Sequence, residues 1–333
     1  MKNDKSVIAA KTAWDKASAL ADETYGLRME KKVFPWLTSA VKAGTMEGEG
    51  GLTLQYYTAI PEDMKGGIVF SHGYCEFFGK YHEMGALLYE AGYGIFFLEH
   101  RGHGRSGRQA ASPEVVHVDD FAEYVADLKR FYDSVAVPAV PAGKRFLFAH
   151  SMGGAIGALY LEKHPDDFDR AILDAPMLAI TFGGLPFPLV KAAILKARLF
   201  GQLKDPSPGA HAFDPHLPDE VPPYTDAGRN AYQFYQRVAD PCYRTCCASS
   251  GWVDAAIRGM ECAVRDAARI RTETLLFQME HDTLVLPGAQ EELLRKAQAV
   301  EKYLVEGAPH EPFNGDEALR ARHFSLITEF FGE

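Results

Sequence analysis

No stretch of this 333-residue chain approaches the ~20 consecutive apolar residues that a membrane-crossing helix needs. The start, Met1-Lys2-Asn3-Asp4-Lys5-Ser6, is not followed by the apolar run of a secretory leader, so the expected location is the cytoplasm. Cysteine is sparse. Cys75, Cys242, Cys246, Cys247 and Cys262 make an odd number with no C-x-x-C pair, which argues against a zinc site or a disulfide framework and for free thiols. Positive charge is also in short supply. Thirty-five Lys and Arg face 45 Asp and Glu, a formal net charge of -10, and nucleic-acid binding depends on clustered cations. Internal repeats and low-complexity tracts are missing too. What remains, 47% hydrophobic and 24% charged residues, is the composition of a soluble globular protein.

Residues 1–40 read as an N-terminal helical extension, with Ala9, Ala10, Ala13, Trp14 and Ala17 at helical intervals. Leu52 to Ile60 reads as a strand, and Gly48-Glu49-Gly50-Gly51 before it as a hairpin turn. Short apolar runs then alternate with longer helical patterns. The runs are Ile68-Val69-Phe70, Gly94 to Leu98, Phe146-Leu147-Phe148, Ala171-Ile172-Leu173, Leu275-Leu276-Phe277 and Tyr303-Leu304-Val305. Tyr81 to Glu90 and Asp120 to Tyr132 are two of the helical segments between them. Runs without strict alternation are buried on both faces, so the expected class is α/β, a mostly parallel central sheet flanked by helices. From Met177 to Arg269 the rhythm lapses into a proline-rich stretch with helical pieces at Leu189 to Leu199 and Arg229 to Ala239. An insertion of that length is expected to be a helical cap. The expected division is therefore 1–40 extension, 41–176 with 270–333 core, and 177–269 cap.

Phe146 to Gly154 carries the chemistry. An apolar strand runs into Ala149-His150-Ser151-Met152-Gly153, and a helix follows to about Lys163, before Pro165. A serine on so sharp a strand-to-helix turn lifts its hydroxyl above the sheet, and only small residues fit two positions to either side. Ala149 stands where glycine is usual. Gly154, Ala155, Gly157 and Ala158 let the helix pack closely, and its N-terminus directs a partial positive charge at the serine.

A serine hydroxyl needs a base. Elbow hydrolases order their residues Ser, acid, His along the chain. Asp282 follows the strand ending near Gln278, where functional groups of parallel sheets collect, and His310 follows the strand Tyr303 to Val305. Asp174 and Glu280 are the competing acids. His281 adjoins Asp282, but adjacent side chains point apart. For the oxyanion hole, the turn Ser71-His72-Gly73-Tyr74 and the elbow offer the amides of Tyr74 and Met152, each donor typically worth about 3 kcal/mol of barrier. His72 lacks the companions of a metal ligand. Glu99 to Gly107 has the glycines of a phosphate loop but opens no helix, so a structural loop beside the site is expected.

The segments HGYCEFFGKY (72–81), EHRGHGRSGR (99–108), AHSMGG (149–154) and GAPHE (307–311), with Asp282, resemble the monoacylglycerol lipase and bacterial lysophospholipase group of α/β-hydrolases. The likeness spreads from about residue 50 to the C-terminus. YQFYQRVAD (232–240) and Trp252 are most similar to the bacterial lysophospholipase branch. The resemblance implies the α/β-hydrolase fold with an inserted cap, and a metal- and cofactor-free acyl-enzyme route that cleaves an ester in a single-chain lipid. In it Ser151 attacks, His310 carries the proton and Asp282 orients the imidazole. Glu280-His281-Asp282 departs from the commoner glycine-containing surroundings of the acid, and the N-terminal extension has no counterpart. Phe182, Leu185, Phe187 and Leu189 are expected to line the acyl site, on an apolar cap helix able to dip into a membrane surface. Two alternatives stay open. One is a peptidase of the proline-iminopeptidase type, with Asp219, Glu220 and Asp240 holding a substrate ammonium. The other is a non-catalytic ligand sensor on the same scaffold.

Overall fold

A computed structural model describes residues 5–332; Met1 to Asp4, the first residues of the expected extension, and Glu333 lie outside it. In chain order the elements open with helices α1 (Lys5–Ala17), α2 (Glu23–Arg28) and α3 (Phe34–Ser39). Strands β1 (Lys42–Glu47), β2 (Thr53–Ala59) and β3 (Gly66–Ser71) follow, then α4 (His82–Glu90), β4 (Tyr93–Leu98), β5 (Val115–Val116) and α5 (Phe121–Phe131). Next come β6 (Arg145–His150), α6 (Met152–Lys163), β7 (Arg170–Asp174), α7 (Phe187–Leu199), α8 (Ala227–Ala239), β8 (Cys247–Ala248) and α9 (Ser250–Arg265). The chain closes with β9 (Glu273–Met279), α10 (Pro287–Lys296), β10 (Val300–Val305) and α11 (Glu317–Gly332).

Eight strands form one sheet in the order β1-β2-β4-β3-β6-β7-β9-β10. The pairs β1–β2 and β2–β4 are antiparallel and the rest parallel, the α/β-hydrolase pattern. Each central strand serves two cores because its side chains alternate between faces. Val69, Phe96, Leu98, Leu147, Ala149 and Leu173 pack beneath α5, α6 and α9. Ile68, Phe70, Ile95, Phe97, Phe148 and Ile172 pack with the N-terminal helices and α11. Every residue of β3 and β4 is buried, which is why these strands read as continuous apolar runs. The edge strand β1 (KAGTME) is polar and mostly exposed, so it carries no such signal. Gly48 to Gly51 does turn β1 into β2.

The helix α9 lies inside the stretch expected as cap and packs both on α7 and on α5, α6 and α10 of the helix layer. Its small residues Ala255, Ala256, Gly259 and Ala263 permit this: a Cβ at Gly259 would stand 2.8 Å from the Phe121 ring. The helices α7 and α8 and the short strand β8, which pairs with β5 of the core segment, are the other elements of the insertion.

The N-terminal extension braces α8. Ala10, Ala13 and Ala17 present a bare face to it, and the Trp14 and Tyr232 rings meet edge-on at 6.1 Å. Arg229 of α8 is buried. Its Nε lies 2.8 Å from Glu83, and its guanidinium stacks 4.3 Å over Tyr25. Arg28 completes the cluster at 2.6 Å from both Glu83 and Glu317. A buried arginine needs such partners to offset lost hydration.

Candidate active site

Ser151 joins β6 to α6 in a conformation rare for a side-chain-bearing residue, φ 54° and ψ -118°. The neighbouring chains hold it there. The Ser151 amide donates to Asp174 O at 2.9 Å, and the Met177 amide to Ser151 O at 2.9 Å. Gly153 leaves no choice of residue, since a Cβ there would fall 1.9 Å from Ser71 O. Ala149 is accommodated from the helix side: a Cβ at Gly157 would lie 2.7 Å from the Ala149 methyl, so the missing side chain at 157 makes room for the extra one at 149.

Three residues far apart in sequence meet here. His310 Nε2 lies 2.8 Å from Ser151 Oγ, and His310 Nδ1 lies 2.7 Å from Asp282 Oδ2. The other Asp282 oxygen accepts the Leu284 and Val285 amides at 2.8 and 3.0 Å, which fixes the carboxylate plane. Burial pushes the Asp282 pKa up, but the His310 hydrogen bond and charge, with those two amides, outweigh it and hold the group below its usual value. The competitors sit elsewhere. Glu280 accepts the Gly307 amide at 2.7 Å and so shapes the loop that carries His310. His281 stacks on Tyr224, with ring centroids 5.0 Å apart.

The amides of Tyr74 and Met152 have no acceptor among the described residues. The turn bearing Tyr74 is pinned from below. His72 Nδ1 pairs with Gly73 O at 2.8 Å, and its Nε2 accepts the His100 amide at 2.9 Å. That pattern makes His72 a neutral imidazole, its pKa pushed down by burial to about 4. Tyr74 also packs on Trp252, at 4.7 Å between ring centroids.

Asp174, the competing acid, belongs instead to a buried polar layer beneath the elbow whose other members the sequence did not mark. His150 Nδ1 pairs with Asp174 at 2.7 Å, and His323 Nε2 pairs with the other Asp174 oxygen at 2.8 Å. Glu76 accepts the Gly73 amide (2.5 Å), the Tyr81 hydroxyl (2.6 Å) and the Lys80 ammonium (2.6 Å), and Lys80 also contacts Glu311. Glu76, His150 and Glu311 converge within 4.8 Å, a spacing that could suit a cation, but the Lys80 ammonium already stands between the two carboxylates. The signal in the sequence was weak: His150 and Asp174 are polar residues closing strands with apolar centres.

This layer has a pH signature. Burial raises the Asp174 pKa, but the two imidazoles prevail and bring it down to about 2. Its stabilising contribution, about 2 kcal/mol, is therefore present above the unfolded value near 3.8 and is lost as pH falls toward 2. Burial lowers the His150 pKa, but Glu76, Asp174 and Glu311 together raise it, so the His150 contribution is present below pH 6.5 and fades as pH rises through the elevated value. Melting temperatures of Asp174→Asn are expected to fall less steeply than wild type from pH 5 to pH 3. Parallel acid slopes would contradict the assignment.

Two apolar cavities border the segment 178–194, and neither is lined by Ser151, Asp282 or His310. One, of about 760 Å³, opens past Leu178 and is lined by Ile180, Phe182, Phe187, Ile257, Met260 and Val264. The other, of about 790 Å³, opens past Tyr74 and contains Leu189, Val190, Ile194, Phe213 and Arg237. Phe182 and Leu185 belong to both walls, so the four expected lining residues are divided between two spaces.

With this geometry in view, the chain was compared with known proteins. Lysophospholipase L2 of Escherichia coli (strain K12) is 31% identical over 276 residues, 79% of each chain. Monoacylglycerol lipase of Mycolicibacterium smegmatis is 33% identical over 149 residues, 44% of this chain and 51% of the relative. Among solved structures, Paleococcus ferrophilus monoacylglycerol lipase superposes with a TM-score of 0.63 at 24% identity, covering 84% of this chain and 98% of that one. A soluble variant of Saccharomyces cerevisiae monoglyceride lipase gives 0.68 at 16% identity, covering 88% and 95%. At these identities the superpositions establish the fold. Residues 62–317 match the family described as serine aminopeptidase, S33, and the chain belongs to that family of α/β-hydrolases.

Proposed function

We propose that the protein is a serine carboxylic-ester hydrolase for single-chain lipids, working through an acyl-enzyme on Ser151. The observation that carries this reading is the continuous Ser151–His310–Asp282 hydrogen-bond chain; apolar cavities reach Leu178 and Tyr74, which adjoin the elbow's support and the oxyanion turn. His310 takes the Ser151 proton as Oγ attacks the ester carbonyl. The amides of Tyr74 and Met152 receive the oxyanion, and His310 then protonates the leaving alcohol. Water, activated by the same imidazole, releases the fatty acid. Phe182, Leu185, Phe187 and Leu189 shape the lipid-binding space, on a cap formed by residues 177–249.

A membrane surface is the proposed source of substrate. From Ala175 to Lys204 there is no acidic residue, and Lys191, Lys196, Arg198 and Lys204 are basic, against a chain charge of -10. Leu199 and Phe200 in that segment are 74% and 69% exposed. Apolar tips among cations suit an anionic bilayer. No helix is long and apolar enough to cross one.

The peptidase alternative needs a free carboxylate for a substrate ammonium. Asp240 is already bound to Arg105 and to the Cys242 amide, while Asp219 and Glu220 point to solvent. A panel of lysophospholipid, monoacylglycerol, p-nitrophenyl esters and aminoacyl amides tests the reading: fatty acid is expected from the lipid esters and no amino acid from the amides. The reverse outcome overturns it. In the same assay, Leu199→Glu combined with Phe200→Glu is expected to lower turnover on anionic vesicles roughly tenfold, leaving dissolved short esters unaffected. Unchanged vesicle turnover rejects the membrane contact.

A further inference from the structure

The cavity past Tyr74 holds an arginine that forms no ion pair among the described residues. Arg237, on α8, lines that cavity beside Phe213 and Phe234. Its Nε donates to Tyr243 O at 3.1 Å and its Nη2 to Thr245 O, and the guanidinium lies 5.3 Å over the Phe213 ring. These contacts fix the fork and occupy two of its N–H groups, whereas a guanidinium carries five. Nη1 has no acceptor among the described residues.

None of the acids of this region forms an ion pair with Arg237. Asp240 pairs with Arg105, Glu114 accepts the Phe213 amide, and Asp214, which lines the same cavity, is exposed to water and hydrogen-bonded to His216. Two further arginines crowd the same turn. Arg108 donates to Cys242 O and Thr245 Oγ1, and Arg244 to Arg237 O and Val238 O; among the described residues neither forms an ion pair. The other cavity differs. Its Lys296 is matched to Glu292 at 2.8 Å and its Arg265 to Asp266 at 2.7 Å. A half-buried guanidinium with fixed geometry and no ion-paired carboxylate is prepared for an oxyanion, which it binds in a planar fork.

Building on the ester-hydrolase reading, we infer that Arg237 is a specificity-determining residue that binds a phosphate on the alcohol portion of the ester. The acyl chain then occupies the apolar cavity past Leu178, and the phosphorylated alcohol lies toward Arg237, with the shared wall of Phe182 and Leu185 between them. The enzyme thereby prefers acyl esters of a phosphorylated glycerol over acyl esters of glycerol itself.

Two substrates with one acyl chain test this, a lauroyl glycerophospholipid and monolauroylglycerol, both in neutral detergent. Arg237→Gln is expected to reduce kcat/KM for the phosphorylated ester by at least about tenfold, mainly through KM, the size of one charge-assisted hydrogen bond. Turnover of monolauroylglycerol should fall by much less, so the ratio of the two substrates shifts. Because Arg237 also holds two backbone carbonyls, a second measurement uses the unaltered protein. Dodecyl phosphate should inhibit p-nitrophenyl butyrate hydrolysis at about one tenth the concentration of the neutral dodecyl glyceryl ether, and salt should narrow the gap. An unchanged substrate ratio in Arg237→Gln, or equal inhibition by the two amphiphiles, overturns the inference. If wild-type protein cleaves neither ester, the hydrolase reading falls, and thermal stabilisation by dodecyl phosphate over the neutral ether still decides the anion site.

Discussion

Ser151→Ala is expected to lower kcat for ester hydrolysis by about 10⁴- to 10⁶-fold. The Oγ removed is the atom held 2.8 Å from His310 Nε2, and the described residues place no other hydroxyl on that nitrogen. The Tyr74 and Met152 amides remain in the variant, so substrate binding survives and the loss falls on kcat rather than KM. His310→Ala should cost nearly as much, and the double variant little more than either alone. Nucleophile and base act as one device, and removing either part disables it. Single-turnover kinetics together with labelling by a fluorophosphonate would measure this. Retention of more than about 1% of wild-type turnover by Ser151→Ala would place the chemistry at another residue.

The second large effect concerns folding. Gly153→Ala would place a methyl 1.9 Å from Ser71 O, 2.4 Å from Ser71 C and 2.7 Å from His72 O. All three are backbone atoms at the end of β3. That strand is bound on one side to β4 and on the other to β6, so it has nowhere to retreat. Overpacking against a yielding side chain usually costs about 1–3 kcal/mol. Here the obstacle is main chain, and the loss should exceed about 3 kcal/mol, read by urea unfolding or by failure to accumulate soluble protein. Gly157→Ala is the contrast. Its new methyl meets the Ala149 methyl at 2.7 Å, so the paired exchange Ala149→Gly with Gly157→Ala should recover most of what the single change loses. Wild-type stability and activity in Gly153→Ala would contradict the account of the elbow.

Much of the core was legible because burial leaves a linear trace. Strands covered on both faces have continuous apolar centres, as β3, β4 and β6 do, and these stood out. Ser151 was legible because a strand running directly into a small-residue turn and a helix is a local arrangement, written within nine residues from Phe146 to Gly154. Asp282 and His310 could be singled out because chain order and position after a strand narrow the choice.

Other features left no linear trace. The edge strand β1 is polar because solvent covers one side of it, so no hydrophobic run marks it. The helix α9 sits between insertion and core in sequence, and only packing against α5, α6 and α10 assigns it to the helix layer. His150, Asp174 and His323 are separated by up to 173 positions, and the sheet brings them within hydrogen-bond reach.

By itself, then, the order of residues determined the class of fold and singled out Ser151 as the proposed nucleophile, since both depend on periodicity and on neighbours within one turn. The division of Phe182, Leu185, Phe187 and Leu189 between two cavities, the Lys80 ammonium between Glu76 and Glu311, and the unpaired guanidinium of Arg237 were decided only in three dimensions. The physical reason is common to all three. The energy of a buried charge depends on which groups lie within a few ångströms, and that distance is set by how distant segments pack.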